Sequence, residues 1–200
     1  MTRGWLAALL GTAALATLLA GCRVEENKNG DSKDVNISTP FGGMHVKTND
    51  TDAHASIGLP GYPGAQPVKQ DEDNNRSADV DMSFGGYQLR VKVAKDRTDD
   101  PPAKVEAFYR NALKRFGDVI ACRDEHFVGT PARTQQGLTC ESGHNGHVNI
   151  DDHAGNNKLE LKTGSKQHQH IVEIEPDGGG TRIELVALDL PTANSDDDRE

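Results

Sequence analysis

From Asp99 to Gly117 the apolar residues recur at helical spacing; in many stretches on either side they alternate with polar ones. That contrast limits the folds open to it. Asp99-Asp100-Pro101-Pro102 reads as a helix start, since acids suit the cap and the positive end of the dipole and proline is tolerated in the first turn. Val105, Phe108, Tyr109, Ala112, Leu113 and Phe116 then form one stripe, and Gly117 ends the helix. Lys104, Arg110, Lys114 and Arg115 point largely elsewhere. An aromatic stripe of this kind predicts a core face, with the helix covering a sheet.

The alternating stretches supply that sheet. Val35 and Ile37, a turn at Pro40-Phe41-Gly42-Gly43, then Met44 and Val46 predict a hairpin over residues 34–48. Residues 78–84 and 86–95 predict two more strands, with Val80, Met82 and Phe84 on one face of the first and Tyr87, Leu89, Val91 and Val93 on the inner face of the second. Further short strands are expected around Val119–Cys122, Leu138–Glu141, His147–Asp151, Lys158–Lys162, Gln169–Glu175 and Thr181–Asp189. Asp177-Gly178-Gly179-Gly180 is a hairpin turn between the last two. Strands following strands, with one amphipathic helix, predict an α+β fold: a mainly antiparallel β-sheet with the helix packed on a face. Asp79-Val80-Asp81-Met82-Ser83-Phe84-Gly85-Gly86 echoes Asp34-Val35-Asn36-Ile37-Ser38 and Phe41-Gly42-Gly43. This is either a degenerate repeat or the same turn chemistry used twice.

The start of the chain carries a different signal. Arg3 precedes an apolar run from Leu6 to Ala20, shorter than the ~20 residues of a comfortable membrane span. Leu19-Ala20-Gly21 then leads into Cys22, after which the sequence turns polar. This pattern resembles the lipobox of bacterial lipoproteins, in which the cysteine is acylated and becomes the first mature residue. The resemblance implies a signal peptide over residues 1–21, a lipid on Cys22, and a place in the cell envelope. Because Arg23, and not aspartate, follows the cysteine, it further implies the outer membrane, facing the periplasm, if the cell is Gram-negative. Thiolate chemistry suits the acylation, and several chains on one residue hold a protein firmly where a single chain does not. The alternatives are a plain signal peptide with an incidental cysteine and an uncleaved anchor.

Residues 23–33 hold one apolar residue and both signs of charge, and 22–33 reads as a polar tether. A single domain is expected over 34–191, then an acidic disordered tail over 192–200. The formal net charge is −9, with 31 acidic residues against 22 basic, and five Phe and three Tyr are all the chain offers besides one Trp, Trp5. Such a chain supports one modest core. Its acidity argues against nucleic acid and against a polybasic grip on anionic lipid. The membrane, through the N-terminal lipid, is the one partner implied; a protein or envelope partner is left unidentified.

With Cys22 taken by lipid, Cys122 and Cys140 remain as an even pair in an oxidising compartment. A disulfide is expected; two free thiols are the alternative. Their spacing matches neither a zinc nor a thioredoxin motif.

Leu59-Pro60-Gly61-Tyr62-Pro63-Gly64-Ala65, too rich in Pro and Gly for helix or central strand, is followed by Ala107-Phe108-Tyr109-Arg110-Asn111-Ala112-Leu113. The pair resembles a domain of bacterial exported lipoproteins in which a "YPGA" turn precedes a helix carrying "FY…L". The resemblance spans roughly residues 57–122 and brings no reaction and no catalytic residues with it.

No nucleotide-binding glycine motif, nucleophile elbow, His-Glu-x-x-His or haem attachment site occurs. Paired acids such as Asp99-Asp100 and Asp151-Asp152 read as a cap and a strand end. Histidine is the remaining candidate. His144, His147, Asp151 and His153 lie close in sequence, and on a strand His147, Asn149, Asp151 and His153 share the face opposite Val148 and Ile150, a set able to offer Zn or Cu nitrogen and oxygen ligands. The alternative is a solvated polar face. His168 and His170 share parity with Val172 and Ile174, which places them on the core side of a different strand. The sequence therefore reads as a lipid-anchored envelope protein, non-catalytic and without a cofactor, serving as a binding or structural module. The alternative is an envelope metal-binding protein using the His/Asp cluster.

Overall fold

A computed structural model describes residues 21–50, 52–68, 76–140 and 158–191. Among these, strands β1 (Arg23–Asn29), β2 (Ser32–Thr39), β3 (Gly42–Thr48), β4 (Gln66–Pro67), β5 (Ser77–Phe84), β6 (Tyr87–Thr98), β7 (Ile120–Arg123), β8 (His126–Phe127), β9 (Leu159–Gly164), β10 (His168–Asp177) and β11 (Gly180–Asp189) join one sheet in the order β1-β2-β3-β5-β6-β11-β10-β9-β7-β8, with β4 beside β6. Every pairing between these strands is antiparallel. Two helices, α1 (Ala53–Ile57) and α2 (Pro102–Leu113), complete the elements, α2 closing in a 3-10 turn at Lys114–Phe116. The fold is α+β, mainly antiparallel sheet with one amphipathic helix on a face, as the periodicities predict.

Two hairpins use the same turn. Gly85 and Gly86 join β5 to β6 with φ of 53° and 93°; Gly178 and Gly179 join β10 to β11 with φ of 56° and 94°. Both central residues lie at positive φ, the primed geometry whose twist matches that of the strands. The two hairpins of the echoed sequence are neighbours: β3 pairs with β5, Met44 opposite Met82 and Val46 opposite Val80.

The core lies between α2 and the middle of the sheet. Val105, Tyr109 and Leu113 are wholly buried against Leu161, Val172, Ile174, Ile183 and Leu185, and Phe108, Ala112 and Phe116 pack at the margin. All six stripe residues thus face the sheet. β11 is the central strand and is buried on nearly its whole length. Leu59 and Tyr62 close one side of this core. Tyr62 meets Phe108 edge-on at 5.2 Å, and Phe108 meets Tyr109 edge-on at 4.9 Å, geometries that favour aromatic pairs beyond their area burial. The "YPGA" segment and the "FY" of the helix are therefore in direct contact. The opposite face of the sheet has its own apolar cluster, Val91, Val93, Val186 and Leu188. Beside it lie paired charges, including Lys158–Glu173 at 3.0 Å and Lys162–Glu160 at 2.7 Å.

Several expectations need correction. The helix is not capped by an aspartate. Pro101 occupies the cap, and no side chain bonds there; two successive prolines push the acids out of the first turn. Asp100 instead accepts hydrogen bonds from Tyr62 Oη at 2.7 Å and Lys104 Nζ at 2.9 Å. Most of residues 22–33 is strand, not free tether: β1 pairs along its length with β2. The premise behind the tether holds, because every β1 side chain is exposed; the backbone ladder, with the exposed Lys33–Glu26 ion pair across it, orders the segment. Residues 53–57, for which the periodicities predict no element, form α1, whose Ile57 is 2 % exposed and enters the core. The strand expected at 138–141 is reduced to a bridge between Thr139 and Arg133. The strand expected at 147–151 lies outside the described residues.

Cys122 and Cys140 form a disulfide, with Cα atoms 5.5 Å apart. It joins β7 to the segment before residue 141, and Ile120, Cys122, Leu138 and Cys140 make a small buried cluster around it.

Candidate functional site

Two features of the described chain can meet a partner. The first is Cys22, a free, exposed thiol immediately ahead of β1. Arg23 pairs with Ser38, so the register sets Cys22 beside the turn between β2 and β3. The approach is close: a Cβ at Gly21 would come within 2.8 Å of Pro40 Cγ.

The second is a charged shelf. On the face that carries α2, the helices cover only part of the sheet, and the remainder presents polar side chains. Strand register assembles them into rows. One row runs His45, Asp81, Arg90, Asp189 and His168 across β3, β5, β6, β11 and β10. A second runs Asp34, Lys47, Asp79, Lys92, Ala187 and His170 from β2 to β10. The charges neutralise one another locally. Arg90 Nε donates to Asp81 at 2.7 Å, Lys92 Nζ lies 3.2 Å from Asp79, His168 Nδ1 lies 2.8 Å from Asp189, and His45 Nε2 lies 2.9 Å from Asp34. The hydrogen bond from Arg90 holds the Asp81 carboxyl below its ordinary range. Between the rows and α1 lies an open cleft of about 480 Å³, walled by Ile57 and floored by the two rows.

His168 and His170 do lie on the face of Val172 and Ile174, as their parity predicts, yet they differ in setting. His168 is exposed. His170 is stacked on Phe116, centroids 3.8 Å apart, and burial lowers its pKa, which favours the neutral ring at pH 7. Both line the cleft. Among the described residues no three His, Cys, Asp or Glu side chains are grouped so as to hold a metal ion. His144, His147, Asp151 and His153 lie outside the described residues. Chemically, the shelf offers paired donors and acceptors suited to a polar ligand carrying both signs of charge.

Sequence reasoning did not find the shelf. Its signal is a second alternation, His45-x-Lys47, Asp79-x-Asp81 and Arg90-x-Lys92, on the positions that the apolar alternation skips. Only the register between strands converts those fragments into rows.

The fold and these two features define a disulfide-bonded, mainly antiparallel α+β protein with an exposed cysteine ahead of its first strand. Comparisons with protein-family models, with curated proteins and with solved structures find no match.

Proposed function

We propose that this chain is a lipid-anchored protein of the bacterial cell envelope, held by acyl chains on Cys22, whose folded part is a non-catalytic binding or structural module. One observation carries the reading. A basic residue, an apolar run and Leu19-Ala20-Gly21 lead into a cysteine that is exposed and stands directly ahead of the first strand. Such a thiol is accessible to the acylating chemistry and far from any core that the lipid would disturb. The Cys122–Cys140 disulfide supports export, because such bonds persist in oxidising compartments. The mutual pairing of charges on the shelf suits recognition of a polar ligand.

Detergent-phase partitioning tests the reading. Wild-type protein should enter the detergent phase and Cys22→Ser should stay aqueous; wild type wholly in the aqueous phase would sink it. Metal handling through His144, His147, Asp151 and His153 is the second reading, supported by that run of ligand types. Calorimetry with Zn²⁺ at pH 7.5 separates the two: a stoichiometric site abolished by His147→Ala would make metal handling the leading function.

A further inference from the structure

We propose that the end of the sheet formed by the β2–β3 and β5–β6 turns is a membrane-contact surface, seated in the lipid interface beside Cys22. The inference rests on the lipid-anchor reading above, and its own support is geometric. Tyr62, Phe108, Tyr109 and Phe116 serve the core, whereas Phe41, Phe84 and Tyr87 stand in or beside these two turns, 76 %, 68 % and 49 % exposed. Turns ordinarily carry polar residues; these place three aromatic rings in solvent.

The two turns form one surface. Gly85 N–H donates to Phe41 O at 3.2 Å. Gly42 lies opposite Phe84, and a Cβ at Gly42 would overlap the Ser83 carbonyl, so only glycine lets the strands meet there. The apolar surface continues onto the face away from α2, where Val24, Ile37, Met44, Met82 and Leu89 align across five strands. Val24 and Met82 in that row are exposed.

The position of the anchor says what covers this patch. β1 begins at Arg23, so no free linker separates Cys22 from the sheet. From β1 to β5 is three strand spacings, which sets Cys22 about 15 Å from Phe84. Acyl chains on Cys22 would therefore hold the two turns at the bilayer surface. Aromatic side chains favour that interface, and apolar groups there bury about 5–10 Å below the headgroups. Pro40-Phe41-Gly42-Gly43 and Phe84-Gly85-Gly86-Tyr87 carry no charge, so insertion does not call for anionic lipid.

Single-tryptophan proteins test this. In a Trp5→Phe background, Phe84→Trp and Phe41→Trp report on the turns; Phe127→Trp, similarly exposed but on β8 at the far edge of the sheet, is the control. The lipidated proteins are reconstituted in phosphatidylcholine vesicles with or without bromine on the acyl chains. Bromolipid should quench the emission of both turn reporters by about twofold or more, with a blue shift, and should leave the control unchanged. If the proteins float with the vesicles yet neither turn reporter is quenched, the anchor stands and this inference is overturned. A blue shift without bromine quenching, as burial against a second copy would give, overturns it as well. Failure to float at all overturns both the anchor and this inference.

Discussion

Among the described residues, His54 and Asp96 form the most buried ion pair of the helix-covered face. His54 Nε2 lies 2.6 Å from an Asp96 carboxylate that is almost wholly buried. The hydrogen bond to Asp96 raises the His54 pKa against an opposing desolvation cost. A raised folded-state pKa gives stability that is fully present below the unfolded value of ~6.5 and is lost as pH rises through the folded one. Wild type should therefore exceed His54→Gln in urea midpoint most at pH 5.5–6, and the gap should narrow by pH 9; a gap independent of pH would mean the pair carries no charge. The Cys122–Cys140 link is a second residue-scale case. Replacing both with Ser should cost ~3 kcal/mol through the freed loop of the unfolded chain, read as a lower urea midpoint. Of these two devices only the disulfide is legible in the sequence, where two cysteines remain once one is assigned to lipid. His54 and Asp96 stand on separate elements, and nothing local to either announces the other.

Among the elements, α2 is legible in the sequence, face included, because helical periodicity is a local property. Leu113→Ala should cost ~2–5 kcal/mol by opening a cavity under the helix. Lys114→Ala, an exposed position one residue on, should fall within about 0.5 kcal/mol of wild type. Equal effects would mean the stripe does not face the sheet. α1 is not legible: Ile57 is its one large apolar side chain, and a five-residue helix shows no period. β1 escapes for the opposite reason. Its side chains bury nothing, so its sequence has no cause to alternate, and only its pairing with β2 makes it a strand. Regions held by exposed ladders open at low cost. In native-state hydrogen exchange the β1 amides should therefore exchange orders of magnitude faster than those of β11. Comparable protection of the two strands would show that β1 is held by more than its ladder.

At the scale of the whole molecule, the two ends of the sheet are built differently. The end where β6 leaves for α2 is tied down by Asp100, whose backbone carbonyl accepts from Thr181 Oγ1 at 2.7 Å. The other end gathers Cys22, the aromatic turns, and the mouths of the charged rows. The sheet and its helix can be read from periodicity, and the proposed anchor rests on the lipobox resemblance. The gathering of these features at one end cannot, because it depends on strand register and on the neighbouring of two hairpins distant in sequence. The proposed anchor and membrane contact both depend on Cys22 as the attachment point. Intact mass spectrometry of protein purified from membranes measures this directly. A chain beginning at Cys22, with an added mass equal to a diacylglyceryl group and its companion acyl chain, is the predicted result. A chain retaining residues 1–21, or one with an unmodified thiol at position 22, would contradict it.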